Sequence, residues 1–138
     1  MVRFLALLPA IVFLTAVPLL RQDTAAAKPA VFSVPPDIAS KSNPVHPTAA
    51  GMAVARKMYG YDCAMCHGKD GDGKGDMAAS LKTPLKNWQD PASLKDMTDG
   101  ELFYIIDKGK GEMQGEGDRE KPEQLWNTVT LVRSFSKK

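Results

Sequence analysis

The sequence predicts a small all-α domain, three to five helices joined by long glycine-rich loops. Three observations carry this. Strand signals are nearly absent along the 138 residues. Three stretches place apolar residues at helical spacing between plausible caps. Glycine clusters separate them, with four in residues 68–75 alone, too many for regular structure. The length allows one domain with an appendage. A domain of that size buries little of its own surface and often needs a staple such as a metal or cofactor. The net charge of +2 gives no electrostatic reason to expect nucleic-acid binding.

The appendage comes first. Arg3 precedes an apolar run from Phe4 to Leu20, and Ala25, Ala26 and Ala27 form a small-residue cleavage site before Lys28. Residues 1–27 therefore read as an export signal. The run has 17 residues and contains Pro9 and Pro18, at the short edge for a membrane span, so an uncleaved anchor is the alternative. No cysteine lies near the signal, which excludes lipid attachment at a new N-terminal cysteine. Residues 28–47 hold five prolines and no periodicity, as in an extended linker or a strap lying on the domain.

The folded unit is expected over residues 48–138. In "TAAGMAVARKMYGYD", Thr48 suits an N-cap, and Met52, Ala55, Met58 and Tyr59 share one face. "DMAASL" suggests a short helical turn, and "TPLKNWQDPASLKDM" a loop carrying Trp88. In "TDGELFYIIDKG", Thr98 and Glu101 form a capping box, Leu102, Ile105 and Ile106 an apolar face, and Gly109 a stop. "KGKGEMQGEGDREK" is a second glycine-rich loop. Pro122 then opens a last helix with Leu125, Trp126, Val129 and Val132 as its buried stripe.

Both cysteines of the chain fall in "YDCAMCHGKDGDGKGD". Cys63-x-x-Cys66-His67 is the signature of c-type haem attachment. Two thiols three positions apart on a helical turn can each add to one haem vinyl group, and the next residue offers an imidazole to the iron. A redox pair would need a βαβ setting, which this pattern lacks. A disulfide would explain the two cysteines but not the adjacent histidine. Structural zinc needs four ligands, and only Cys63, Cys66, His67 and the distant His46 are on offer. "KDGDGKGD" fails as a calcium loop, because Lys74 stands at the third ligand position and Leu81 at the twelfth, where a glutamate is required.

From Thr48 onward, about 90 residues, the chain resembles a single-domain class I cytochrome c of the bacterial, periplasmic type. "MYGYDCAMCHG", "DGDGKGD", "TDGELFYIIDKGKGEMQ" and "LWNTVTLVRSF" match it in order and at family spacing. The resemblance implies a cytochrome c fold around one covalent haem c with its iron, and electron transfer as the function. It also implies a proline after the glycine loop whose carbonyl orients the haem histidine. That place reads Asp76, which leaves Pro84 as the alternative. Tyr59 and Trp126 are the expected aromatics where the first and last helices cross.

His67 then supplies one axial position, and the other decides between electron transfer and small-molecule chemistry. Met113 sits between glycines in the loop after the third helix, where the family has its distal methionine, and is the expected ligand. Met77, Met97, His46 and an open site remain the alternatives. No nucleophile, general base or substrate pocket is readable. The expectation is an exported, monomeric electron carrier, not an enzyme, that meets unidentified redox-partner proteins and contacts a membrane only if its N-terminus is uncleaved. A haem subunit or tethered domain of a larger oxidoreductase is the alternative, and a sensor or peroxidase-like enzyme a further one.

Overall fold

In the computed structural model the described residues are 32–136. The expected export segment, residues 1–27, and the first part of the linker lie outside them. In order come α1 (Pro36–Ala39), α2 (Ala49–Met58), a π-helical turn (Tyr59–Cys63), α3 (Ala64–His67), α4 (Asp99–Lys108) and α5 (Pro122–Phe135). Short 3₁₀ turns at Ala78–Ser80 and Pro91–Ser93 punctuate the segment between α3 and α4.

The helix ends follow from local chemistry. The Thr48 hydroxyl accepts from the Gly51 N–H at 3.0 Å, and caps α2. At α4 the capping box is complete: Thr98 Oγ1 accepts from the Glu101 N–H at 3.1 Å, and Glu101 Oε2 accepts from the Thr98 N–H at 2.7 Å. Gly109 ends α4 at φ +80°. Pro122 occupies the first turn of α5, where its missing N–H costs nothing.

α5 is the centre of the packing, with Leu125, Trp126, Val129, Leu131, Val132 and Phe135 all buried. One face joins Met58, Leu94, Leu102 and Ile106 in a core cluster. The other meets Ala55 and Tyr59. Of the two aromatics expected at the helix crossing, Tyr59 is there and Trp126 is not. Tyr59 contacts Phe135, ring centroids 5.1 Å apart, whereas Trp126 stacks on Phe103 of α4 at 4.2 Å. Trp126 and Phe135 are nine residues apart on one helix, about 2.5 turns, and so point to opposite faces. Tyr59 lies past the end of α2, level with Phe135.

The second glycine-rich loop is partly regular. β1 (Gly109–Lys110) and β2 (Met113–Gln114) pair antiparallel, with Lys110 opposite Met113. Glycine signals mask so short a ladder in the sequence. The proline-rich residues from 32 on run over α4 and α5. Asn43 Nδ2 donates to the Trp126 carbonyl at 2.9 Å and to Thr130 Oγ1 at 3.0 Å, and Thr98 Oγ1 donates to the Ala39 carbonyl at 2.6 Å. Phe32 lies against Tyr104, centroids 6.0 Å apart, with Lys110 Nζ 5.0 Å from its ring.

Candidate functional site

α2 does not stop at Gly60. It widens into the π turn, where the Ala64 N–H donates to the Tyr59 carbonyl five residues back, then continues as α3. Such turns insert one residue into a helix and occur often at functional sites. This one carries Cys63, and the four residues of α3 carry Cys66 and His67. All three are half-buried, and both cysteines are unjoined thiols.

The loop after His67 folds back on the turn through main-chain bonds. The Gly73 N–H donates to the His67 carbonyl at 2.9 Å, the Gly75 N–H to that of Cys66 at 3.1 Å, and the Met77 N–H to that of Met65 at 2.9 Å. The buried Tyr59 hydroxyl donates to the Gly68 carbonyl at 2.6 Å, and burial raises its pKa. Gly71 has φ +71°, and a Cβ there would sit 2.7 Å from the Phe135 ring, so only glycine lets the loop lie this close to α5.

Burial, reinforced by the Glu116 and Asp62 carboxylates, pushes the Cys63 thiol up to about 12. Burial lowers the His67 pKa, which keeps the imidazole neutral with a lone pair to give a metal. Its Nδ1 is buried and bonded to no protein group. The expectation that Pro84 orients this ring through a carbonyl is therefore not met; Pro84 itself is exposed. The imidazole instead stacks on Trp88, centroids 4.1 Å apart and 19° between planes.

Met113 is half-buried and packs on the α4–α5 core cluster, which Trp88 and Met97 also touch. Met77 and His46 are exposed. Past Met113, the Glu116 and Gly117 N–H groups donate to the Ile106 and Asp107 carbonyls at 2.8 and 3.0 Å. Glu116, only 5% exposed, binds Arg119 at 2.5 Å, and Arg119 reaches Asp62 of the π turn at 3.3 Å. Arg133 of α5 secures the approach to α4, donating through Nε to Asp99 at 3.0 Å, through Nη1 to the Leu94 carbonyl at 2.8 Å, and through Nη2 to the Met97 carbonyl.

These residues fit a covalently attached haem. Two free thiols share one turn, a neutral imidazole follows, and a half-buried thioether stands on the hairpin. Among the described residues no three His, Cys, Asp or Glu side chains gather as a metal group, so the zinc alternative has no cage there. Sequence reasoning assigned no role to Trp88, Glu116, Arg119 or Arg133. A large aromatic in a polar, proline-bearing loop is the one signal that marked Trp88.

The profile of the family described as cytochrome c oxidase, cbb3-type, subunit III, matches residues 48–132. Among solved structures, the KustC0563 c-type cytochrome is 27% identical, over 59% of this chain and 95% of that one, with a TM-score of 0.52. The Kuenenia stuttgartiensis reducing HAO-like protein complex Kustc0457/Kustc0458 is 18% identical and matches in fold, over 67% of this chain and 46% of that one, with a TM-score of 0.59. No curated protein matches the chain.

Proposed function

The chain belongs to the family described as cytochrome c oxidase, cbb3-type, subunit III, and from that premise we propose that it is an exported mono-haem electron carrier ligated by His67 and Met113. Covalent haem c and haem-based electron transfer come with the family. When bound, the iron supplies one-electron chemistry by alternating between ferrous and ferric states. In this reading Cys63 and Cys66 hold the ring by thioether bonds, and His67 gives a neutral nitrogen donor. Met113 gives a thioether sulfur, which favours ferrous iron and raises the potential. Met113 and Trp88 both pack on the apolar cluster of α4 and α5, which would shelter the group from water and so disfavour the extra charge of the oxidised state.

The observation that carries the proposal is the helical turn presenting two free thiols and then a half-buried imidazole. Domains of this kind are generally extracytoplasmic, and no described helix is long and apolar enough to cross a membrane. The family description also supports a second reading, a haem subunit or tethered domain of a larger oxidoreductase.

The visible spectrum and mass of the exported protein test both attachment and export. A haem c spectrum, with a mass equal to residues 28–138 plus one haem, is the expected result. Rapid carbon monoxide binding to the reduced native protein overturns the carrier and leaves a sensor or peroxidase-like enzyme. Co-purification with a large membrane partner favours the subunit reading.

A further inference from the structure

We infer that Trp88 is a positioning residue for His67: the flat face of its indole, in place of a carbonyl hydrogen bond, fixes the plane of the axial imidazole. The inference rests on His67 being the proximal ligand. Imidazoles that ligate metals usually donate their second nitrogen to a fixed acceptor, which sets ring orientation and basicity. No protein group accepts from Nδ1 here, so rotation about the Cβ–Cγ bond has no polar stop. What restrains the ring is Trp88, nearly parallel to it with centroids 4.1 Å apart, close enough to bring the two faces into van der Waals contact.

Trp88 can act as a reference plane because its backbone is tied down and its ring is packed against α5. Its main-chain N–H donates to the Gly71 carbonyl at 2.7 Å, tying the backbone beneath the indole to the loop that follows His67. Phe135 of α5 lies behind it, near-parallel at 16° with centroids 6.4 Å apart. The Asn87 carboxamide accepts from the Gln89 N–H at 2.9 Å across Trp88 in sequence, which further fixes its backbone. The stack Phe135–Trp88–His67 thus runs from the last helix to the ligand. The bland alternative is that Trp88 merely fills space, since it touches both core clusters. Packing alone predicts lost stability with an unchanged ligand field. Positioning predicts a changed field, because the imidazole plane sets how its orbitals meet those of the metal.

The test compares Trp88→Phe, which keeps a flat face, with Trp88→Leu, which keeps apolar bulk without one, both as holoprotein. The readouts are the paramagnetic shifts of the haem methyl protons in the ferric state and the reduction potential. Trp88→Leu is expected to change the methyl-shift pattern and move the potential, with haem still covalent, while Trp88→Phe stays near the native pattern. An unchanged pattern and potential in Trp88→Leu, or equal changes in both variants, overturns the inference. In the ferrous wild type, nuclear Overhauser contacts between the Trp88 indole and the His67 ring are expected, and their absence also overturns it, even if neither variant accumulates. ¹⁵N-histidine in a His46→Gln background separates this from failure of the ligand reading: without a hyperfine-shifted His67 signal, His67 is not axial and the premise itself falls.

Discussion

The segments on the two sides of the candidate iron site are secured by different means. On the His67 side, residues 59–77 are laced by their own main chain, with three backbone bonds returning the glycine loop to the attachment turn. On the Met113 side, the methionine stands on a hairpin with two residues in each strand. That hairpin has its own short ladder and two main-chain bonds to the end of α4, but it is tied to the rest of the domain by side-chain links to distant positions, among them Arg119 to Asp62. The Lys82 N–H donating to Glu112 at 2.9 Å is another. Local backbone bonds cost little loop entropy to form, whereas links across 30 or 57 residues depend on the rest of the fold being in place. The attachment side should therefore hold under conditions that release the methionine side.

The largest effect expected is on the attachment side. Cys63→Ala with Cys66→Ala should leave little folded protein after export, because without covalent haem the chain buries too little surface. Haem staining and circular dichroism check this, and a compact helical apoprotein would show that the polypeptide core suffices.

Breaking the other side should spare attachment. Met113→Ala is expected to keep covalent haem yet lose the red-edge charge-transfer band of methionine-ligated ferric haem. It should gain carbon monoxide binding and drop in potential. Met97→Ala, half-buried on the same cluster, should keep the band and cost about 2–5 kcal/mol of packing. If the two variants exchange behaviours, Met97 is the ligand.

A smaller effect is expected at Asn43, which ties the N-terminal strap to α5. Asn43→Ala removes two donated bonds to that helix and the bond Asn43 accepts from the Val45 N–H at 2.9 Å. It should cost about 1–3 kcal/mol in chemical denaturation with an unchanged visible spectrum. A loss of the charge-transfer band would mean the strap braces the methionine side as well.

The smallest is a pH slope at Glu116. Burial raises its pKa above the ordinary carboxylate value, against the opposing pull of Arg119. A raised folded pKa favours the protonated form in the native state. The stability it contributes is fully present below the unfolded pKa and is lost as pH rises through the folded one. Denaturation midpoints across that range should fall more steeply with pH in the wild type than in Glu116→Gln, and equal slopes would remove Glu116 as the cause.

What the sequence revealed about the site was its local part. Cys63, Cys66 and His67 are bound together by spacing along one turn, and spacing is what a sequence displays. The same holds for the Thr98–Glu101 cap and the stripe on α5. Hidden were the features made by distance: Trp88 against His67, Arg133 on the Leu94 and Met97 carbonyls, Asn43 on Trp126. Each joins residues whose chemistry is ordinary alone. The π turn was hidden for another reason, since one residue inserted into a continuous helix leaves no residue-type signal. The hairpin was obscured by the glycines that make its turn.

The bond from Asn43 to Trp126 spans 83 residues, so it cannot form until both ends of the domain are present. A chain emerging N-terminus first exposes the strap long before the helix that receives it. The attachment turn, by contrast, finds its backbone partners within about a dozen residues. Its two thiols can be in register while the remainder is still being delivered. An attachment apparatus working on the emerging chain would meet a formed target without waiting for α5, and the arrival of α5 would then close strap, core and indole together.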